Sequence, residues 1–179
     1  PLVFFCQNNQ WAISEPTSRQ AAVPLYRRGE GFGVPGVRVD GNDVLATYAV
    51  VATALDEARA GQGPRFVEAF TYRMGAHTTS DDPTRYRTAD EVAAWQARDP
   101  IDRLRRLLQR AGLGDQAYFD EVEAAASELG ERLRQGVRTL EPPPFEDFFD
   151  RVYATPHPLA AEEKAAWLDQ AGADRSGMR

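Results

Sequence analysis

Two segments of this sequence carry side chains able to do chemistry. The first is Gln7-Asn8-Asn9-Gln10-Trp11. Carboxamide oxygens are hard, neutral ligands suited to Mg²⁺, which takes few protein groups and shares its octahedron with phosphate oxygens and water. Taken alone, adjacent asparagines more often make a turn. The second segment runs from Tyr72 to Asp82 and holds His77. An imidazole can give a proton or a hydrogen bond to a developing alkoxide, and Arg73, Arg85 and Arg87 around it would suit anionic substrates and a diphosphate. The alternative is a solvated loop histidine among surface arginines. Other candidates are weaker. His157 lies between two prolines and reads as structural or exposed, Cys6 in its apolar strand reads as core, and Arg103, Arg105, Arg106 and Arg110 read as a solvated face.

Positioning those segments needs a sheet. Leu2 to Cys6 is an apolar run of the kind that forms a strand buried on both faces of a parallel sheet. Such a strand needs neighbours, so residues before Pro1 are expected to supply part of the sheet. Gln7 to Ser18 reads as polar and turn-like, and Gln20 to Gly33 as weakly helical, interrupted by Pro24. Gly36 to Asp40 reads as a second strand, and Gly41-Asn42-Asp43 turns the chain into a helix. Val44, Tyr48, Val51, Leu55 and Ala58 form that helix's apolar face. After Gly61 and Gly63-Pro64, Arg65 to Phe70 reads as a third strand. Strand, helix, strand in this order predicts an α/β fold with a parallel sheet. In open α/β sheets ligands sit beyond the carboxyl ends of the strands, where both candidate segments fall.

Tyr72 to Arg87 is expected to be a long loop. A capping box at Thr88-Ala89-Asp90-Glu91 starts one helix, and Asp99-Pro100 starts the next, with Ile101, Leu104, Leu107 and Leu108 as its apolar side. Asp115 to Thr139 reads as a longer amphipathic helix bearing Val122, Ala126, Leu129, Leu133 and Val137, stopped by Pro142-Pro143-Pro144. Beyond it, Phe145, Phe148, Phe149, Val152 and Tyr153 offer apolar surface for a core or another subunit. The organisation expected is thus an α/β part over 1–88, a helical region over 89–158 and a frayed tail over 159–179.

Bulk properties narrow the class of function. The 179 residues carry 27 acidic and 21 basic side chains, for a net charge of −6, which disfavours nucleic acid and anionic membranes as partners. One cysteine forms no internal bridge, and a cytoplasmic setting is the simplest expectation. No apolar run approaches the ~20 residues that cross a bilayer.

Together, and in order along the chain, these segments resemble one family. Phe5-Cys6-Gln7-Asn8-Asn9-Gln10-Trp11-Ala12-Ile13-Ser14 is similar to the end of the thiamin diphosphate motif, which opens with Gly-Asp-Gly and closes with Asn-Asn. Val37 to Asp43 and Tyr72 to Arg87 resemble later signature segments of the α subunits of thiamin-diphosphate-dependent 2-oxo acid dehydrogenases, the decarboxylating first component of pyruvate or branched-chain complexes. The resemblance covers about Pro1 to Pro158 and is most specific around His77. It implies the carboxy-terminal half of such a subunit, hence part of a thiamin-diphosphate-binding fold followed by a helical region. It also implies that Asn9 gives Mg²⁺ its side-chain oxygen and Trp11 its backbone carbonyl, the metal's Asp ligand coming from the Gly-Asp-Gly segment. Gln7, Ile13 and Arg73 would join the cofactor site, although some relatives fill the Gln7 position with Arg. His77 would hold the substrate and assist acyl transfer to a lipoyl arm, while Arg73, Asp81, Asp82, Tyr86 and Arg87 order its loop.

The implied partners are a β subunit, in a heterotetramer of two α and two β subunits, and the lipoyl domain of the acyltransferase component. The implied substrate is a small 2-oxo acid, with Ser14 to Gln20 and Asn42-Asp43 leaning towards branched-chain acids. Two other readings compete. One is a non-catalytic interaction module, for which Mg²⁺ and thiamin diphosphate would not stabilise the protein. The other is another transketolase-like thiamin enzyme, which would act on sugar phosphates.

Overall fold

The computed structural model describes residues 1–177, with side chains through residue 171. Two compact units divide within one helix, Pro1–Phe119 and Asp120–Arg179.

In the first unit the apolar and β-branched runs pair into a parallel sheet of β1 (Val3–Asn8), β4 (Gly36–Asp40) and β5 (Arg65–Phe70). β5, last in sequence, lies between the other two. Asn8 of β1 and Asp40 of β4 both stand opposite Phe70 of β5, so the three carboxyl ends finish level. Gly41 makes this close approach possible, because a Cβ there would collide with the Thr71 side chain. A small antiparallel hairpin, β2 (Trp11–Ala12) with β3 (Glu15–Pro16), follows β1 directly. The segment expected to be only turn-like therefore has its own ladder. α1 (Thr17–Gln20) and a 3-10 segment, Leu25–Phe32, replace the weak helix expected beyond it.

Among the described residues β1 is an edge strand, and Phe4 and Phe5 are exposed. One expectation about burial is corrected in part. The helix α2 (Val44–Arg59), capped where Asp43 accepts a hydrogen bond from the Ala46 amide, does pack on the sheet, with a face that keeps the expected Val51 and buries the expected Ala58 but turns Val44 and Tyr48 outward. Ala54 joins Val39, Val67 and Ala69 in the core, and Ala46, Val50 and Val51 lie against it, whereas Val44 and Tyr48 are exposed. Small residues spaced by four let the helix backbone approach the strands closely. The stripe of larger residues read from the sequence was placed by hydrophobicity without regard to that fit.

Beyond the sheet, Thr88 and Asp99 cap α3 (Ala89–Gln96) and α4 (Pro100–Arg110) through the amides of Glu91 and Ile101, as expected. Arg103 departs from the solvated face expected for α4. Its guanidinium donates to Asp40, to the Asn42 carbonyl and to Asp43, and so ties α4 to the exit of β4. α5 (Gln116–Arg138) buries Phe119 near its start and leaves Leu129, Leu133 and Val137 exposed.

The second unit holds the rest of α5, α6 (Asp147–Asp150) and α7 (Pro158–Gly177). Phe145 stacks on Trp167 with ring centroids 3.8 Å apart, and Phe149 packs beside them. Phe148, Val152 and Tyr153 are exposed. The stretch expected to fray carries α7; residues 178–179 lie outside the described residues. Among the described residues no helix is long and apolar enough to cross a membrane.

Candidate active site

The chain leaves β1 at Asn8 and turns at once. Gln10 adopts φ 68°, a left-handed conformation uncommon outside glycine. The Asn9 carboxamide oxygen accepts from the Trp11 amide at 3.0 Å, which closes the turn. The hairpin ladder then decides where the Trp11 carbonyl points. The Thr17 amide donates to the Gln10 carbonyl at 2.9 Å, while Trp11 stands opposite Pro16, which has no N–H to give. In an antiparallel ladder a position between bonded pairs directs its peptide groups outward, so the Trp11 carbonyl stays available. At the hairpin tip Ile13 has φ 55° and its side chain is exposed. Positive φ is what a two-residue hairpin loop demands; a β-branched residue meeting it is strained.

β5 exits beside this turn. The Arg73 amide donates to the Asn9 carbonyl at 3.1 Å, and the Gln10 carboxamide donates to the Thr71 carbonyl at 2.7 Å. The Arg73 guanidinium reaches across to the Ile13 carbonyl at 2.5 Å and to the Tyr86 hydroxyl at 3.2 Å. Tyr86 in turn donates to Asp81, whose Oδ2 also accepts the His77 amide at 2.8 Å. A continuous hydrogen-bonded path thus joins the hairpin tip to the backbone of His77, whose side chain is exposed. The His77 amide, then the Tyr86 hydroxyl, hold the Asp81 carboxyl below the usual carboxylate range. The same bond to Asp81, with burial, pushes the Tyr86 phenol up. Underneath, Trp11 packs on Tyr86 and Tyr72, and Tyr72 stacks on Trp95.

Arg87 is buried and anchors the loop's start, donating to the carbonyls of Arg73, Met74 and Gly75. Its rigid fork serves several acceptors at once, which a lysine's single ammonium does not match. Arg87→Lys is therefore expected to speed amide exchange across residues 73–81 of the full-length protein by roughly tenfold. Unchanged exchange measured by mass spectrometry would show that the fork does not order the loop.

The structure thus brings Asn9, Trp11, Ile13, Arg73, Asp81, Tyr86, Arg87 and the His77 backbone to one edge of the sheet. Gln7 and Asp82 stand apart. Gln7, exposed and one residue before Asn8, points to the opposite face of the strand. Asp82 serves locally, accepting from the Thr84 amide and hydroxyl at the 3-10 turn Pro83–Arg85.

The donor set suits a hard divalent cation in part. Asn9 Oδ1 and the Trp11 carbonyl are neutral oxygens, and among the described residues no cluster of His, Cys, Asp and Glu could hold a metal. Mg²⁺ bound through these oxygens would draw a carboxylate from elsewhere.

Sequence reasoning passed over Glu68 and gave Asn8 no role of its own. Glu68, in the middle of β5, is fully buried and accepts from Asn8 at 2.7 Å. Burial raises its pKa, but hydrogen bonds from Arg38, Asn8 and the Tyr26 amide outweigh that and hold it below the ordinary range. A lone carboxylate inside an apolar parallel strand was the available signal.

Comparison with known proteins adds a family. Residues 1–139 match the family described as Dehydrogenase E1 component. The 3-methyl-2-oxobutanoate dehydrogenase subunit alpha of Mycobacterium tuberculosis is 52% identical over 157 residues, covering 86% of this chain and 42% of that protein. The pyruvate dehydrogenase E1 component subunit alpha of Staphylococcus aureus is 44% identical over 142 residues, covering 78% of this chain and 38% of its own length. The chain therefore spans about two fifths of the relatives it matches.

Proposed function

This chain belongs to the dehydrogenase E1 component family, and on that premise we propose that the full-length protein is the α subunit of a 2-oxo acid dehydrogenase. The reaction is oxidative decarboxylation, with acyl transfer to the lipoyl group of an acyltransferase component. The observation that carries this reading is the hydrogen-bonded path from the Asn9–Ile13 turn through Arg73, Tyr86 and Asp81 to His77. It links one neutral-oxygen donor set and one acid–base group at adjacent strand exits.

Each residue then takes a role. Asn9 and Trp11 would hold Mg²⁺ through their oxygens, and the metal would supply positive charge for a diphosphate there. Ile13 offers apolar surface to the cofactor, and Arg73 fixes the Ile13 carbonyl while adding positive charge. Gln7, an expected cofactor residue, is exposed on the opposite strand face and lies away from this turn. Thiamin diphosphate, when bound, supplies a nucleophilic carbon and an electron sink for loss of carbon dioxide. His77 donates to the substrate's carbonyl oxygen and moves a proton during acyl transfer. Asp81, Asp82, Tyr86 and Arg87 hold the loop so that the lipoyl domain meets a fixed surface. A β subunit completes the site, in an assembly of two α and two β subunits.

The branched-chain substrate is favoured by the 52% identity to a 3-methyl-2-oxobutanoate dehydrogenase subunit and by Ser14 to Gln20; the 44% identity to a pyruvate dehydrogenase subunit keeps pyruvate as the second reading. The full-length protein, assembled with its β subunit and given Mg²⁺ and thiamin diphosphate, is expected to release carbon dioxide from 3-methyl-2-oxobutanoate with an artificial electron acceptor. Release from pyruvate alone would select the second reading. Activity on sugar phosphates, with none on either 2-oxo acid, would overturn both.

A further inference from the structure

Glu68, like its neighbour Val67, is fully buried in the first unit. It alternates along β5 with Val67 and Ala69, which face α2, so its carboxylate points to the other side of the sheet, where the 3-10 segment lies over the strands. A buried charge there persists only if fully partnered, and the partners come from three elements. Oε1 accepts from Asn8 of β1 at 2.7 Å and from Arg38 of β4 at 2.8 Å, and Oε2 accepts from the Tyr26 amide at 3.0 Å. Arg38 is held from its far side by the ring of Phe70, 4.6 Å away.

The consequence lies one residue beyond. With its Nδ2 committed to Glu68, Asn8 must turn its oxygen the other way, where Oδ1 accepts from the Gln10 amide at 3.0 Å and from the Thr17 hydroxyl at 3.2 Å. The first of these bonds holds Gln10 in its left-handed conformation, and Gln10 separates Asn9 from Trp11. We infer that Glu68 is a positioning residue: through the carboxamide of Asn8 it sets the turn that presents the Asn9 and Trp11 oxygens. This rests on the reading of that turn as the Mg²⁺–diphosphate site.

The chemistry explains why a carboxylate is needed. All the groups around Glu68 are donors, and only an acceptor-only side chain meets them on both oxygens. Glutamine would aim its NH₂ at one of those donors. If that NH₂ met Asn8, the Asn8 carboxamide would rotate and set its own NH₂ against the Gln10 amide. The polarity error would then pass from the buried strand to the turn, while the α2 side of the sheet kept its contacts.

The test uses the full-length subunit with its β partner and the variants Glu68→Gln, Asn8→Ala and the double. Without cofactor, Glu68→Gln is expected to speed exchange of the residue 9–13 amides by about tenfold and to leave the α2 amides near Val50 to Ala54 unchanged. Calorimetry with thiamin diphosphate should show the Mg²⁺ concentration for half-maximal binding rising by about tenfold. The double variant should be no worse than the more affected single, as expected for groups acting in series.

Unchanged exchange in the turn, equal acceleration in the turn and α2, or additive effects of the two substitutions would each overturn the inference. If the parent assembly bound no Mg²⁺–thiamin diphosphate, the functional reading would fall and exchange alone would still decide the role of Glu68. Should Glu68→Gln not fold, Glu68→Asp carries the same comparison, since it keeps an acceptor-only carboxylate but draws it back from Asn8.

Discussion

In the assembled full-length enzyme, His77→Ala is expected to slow acyl transfer to a lipoyl acceptor by at least ~100-fold, the lower range for losing a positioned acid–base group. Decarboxylation read with an artificial acceptor should fall less, because the cofactor supplies most of that chemistry. The structure gives a reason to expect the split. His77 is fixed by its backbone, through the bond to Asp81, and its side chain is exposed. A group so placed can meet an incoming lipoyl arm without any rearrangement of the strand exits. The Asn9 turn, tied to the Arg73 backbone, would stay as it is, so the KM for thiamin diphosphate should not change. Equal losses in both assays would move His77 into the decarboxylation step, and unchanged transfer would remove it from the reaction.

How far the sequence alone could reach is seen in particular residues. The three parallel strands were legible because apolar and β-branched runs bounded by Gly and Pro leave few alternatives, and the caps at Thr88 and Asp99 were legible because they depend on local chemistry. The packing face of α2 was legible only in part, since Ala46, Val50 and Ala54 win by fit rather than by hydrophobicity.

Pairings that cross many residues were equally hidden. Arg103 with Asp40 and Asp43, Arg73 with Ile13, and Glu68 with Asn8 each join residues about sixty positions apart. Only the parallel sheet, by levelling its strand ends, makes them neighbours. The candidate residues of the His77 loop were reached through family resemblance. Spacing alone left an exposed histidine among arginines.

The second large effect is expected at Asn9. Asn9→Ala removes one oxygen from the turn, and the affinity of the assembled protein for thiamin diphosphate at limiting Mg²⁺ should fall by roughly 10–100-fold, or about 1.4–2.7 kcal/mol. The competing account is that Asn9 only closes a turn, since its Oδ1 accepts the Trp11 amide. Loss of such a side-chain cap costs about 1 kcal/mol of stability and carries no dependence on metal. Titrating Mg²⁺ separates the two. A ligand's loss shifts the Mg²⁺ requirement and is partly overcome at high metal, whereas a turn's loss lowers affinity by a constant factor at every Mg²⁺ concentration. Asn9→Asp sharpens the comparison, because a carboxylate still accepts the Trp11 amide and adds charge beside the cation. It should keep the turn and bind Mg²⁺ at least as well in calorimetry. Parallel weakening in both variants, independent of metal, would strip Asn9 of its place in the metal site and leave the Trp11 carbonyl as the only oxygen this turn could offer.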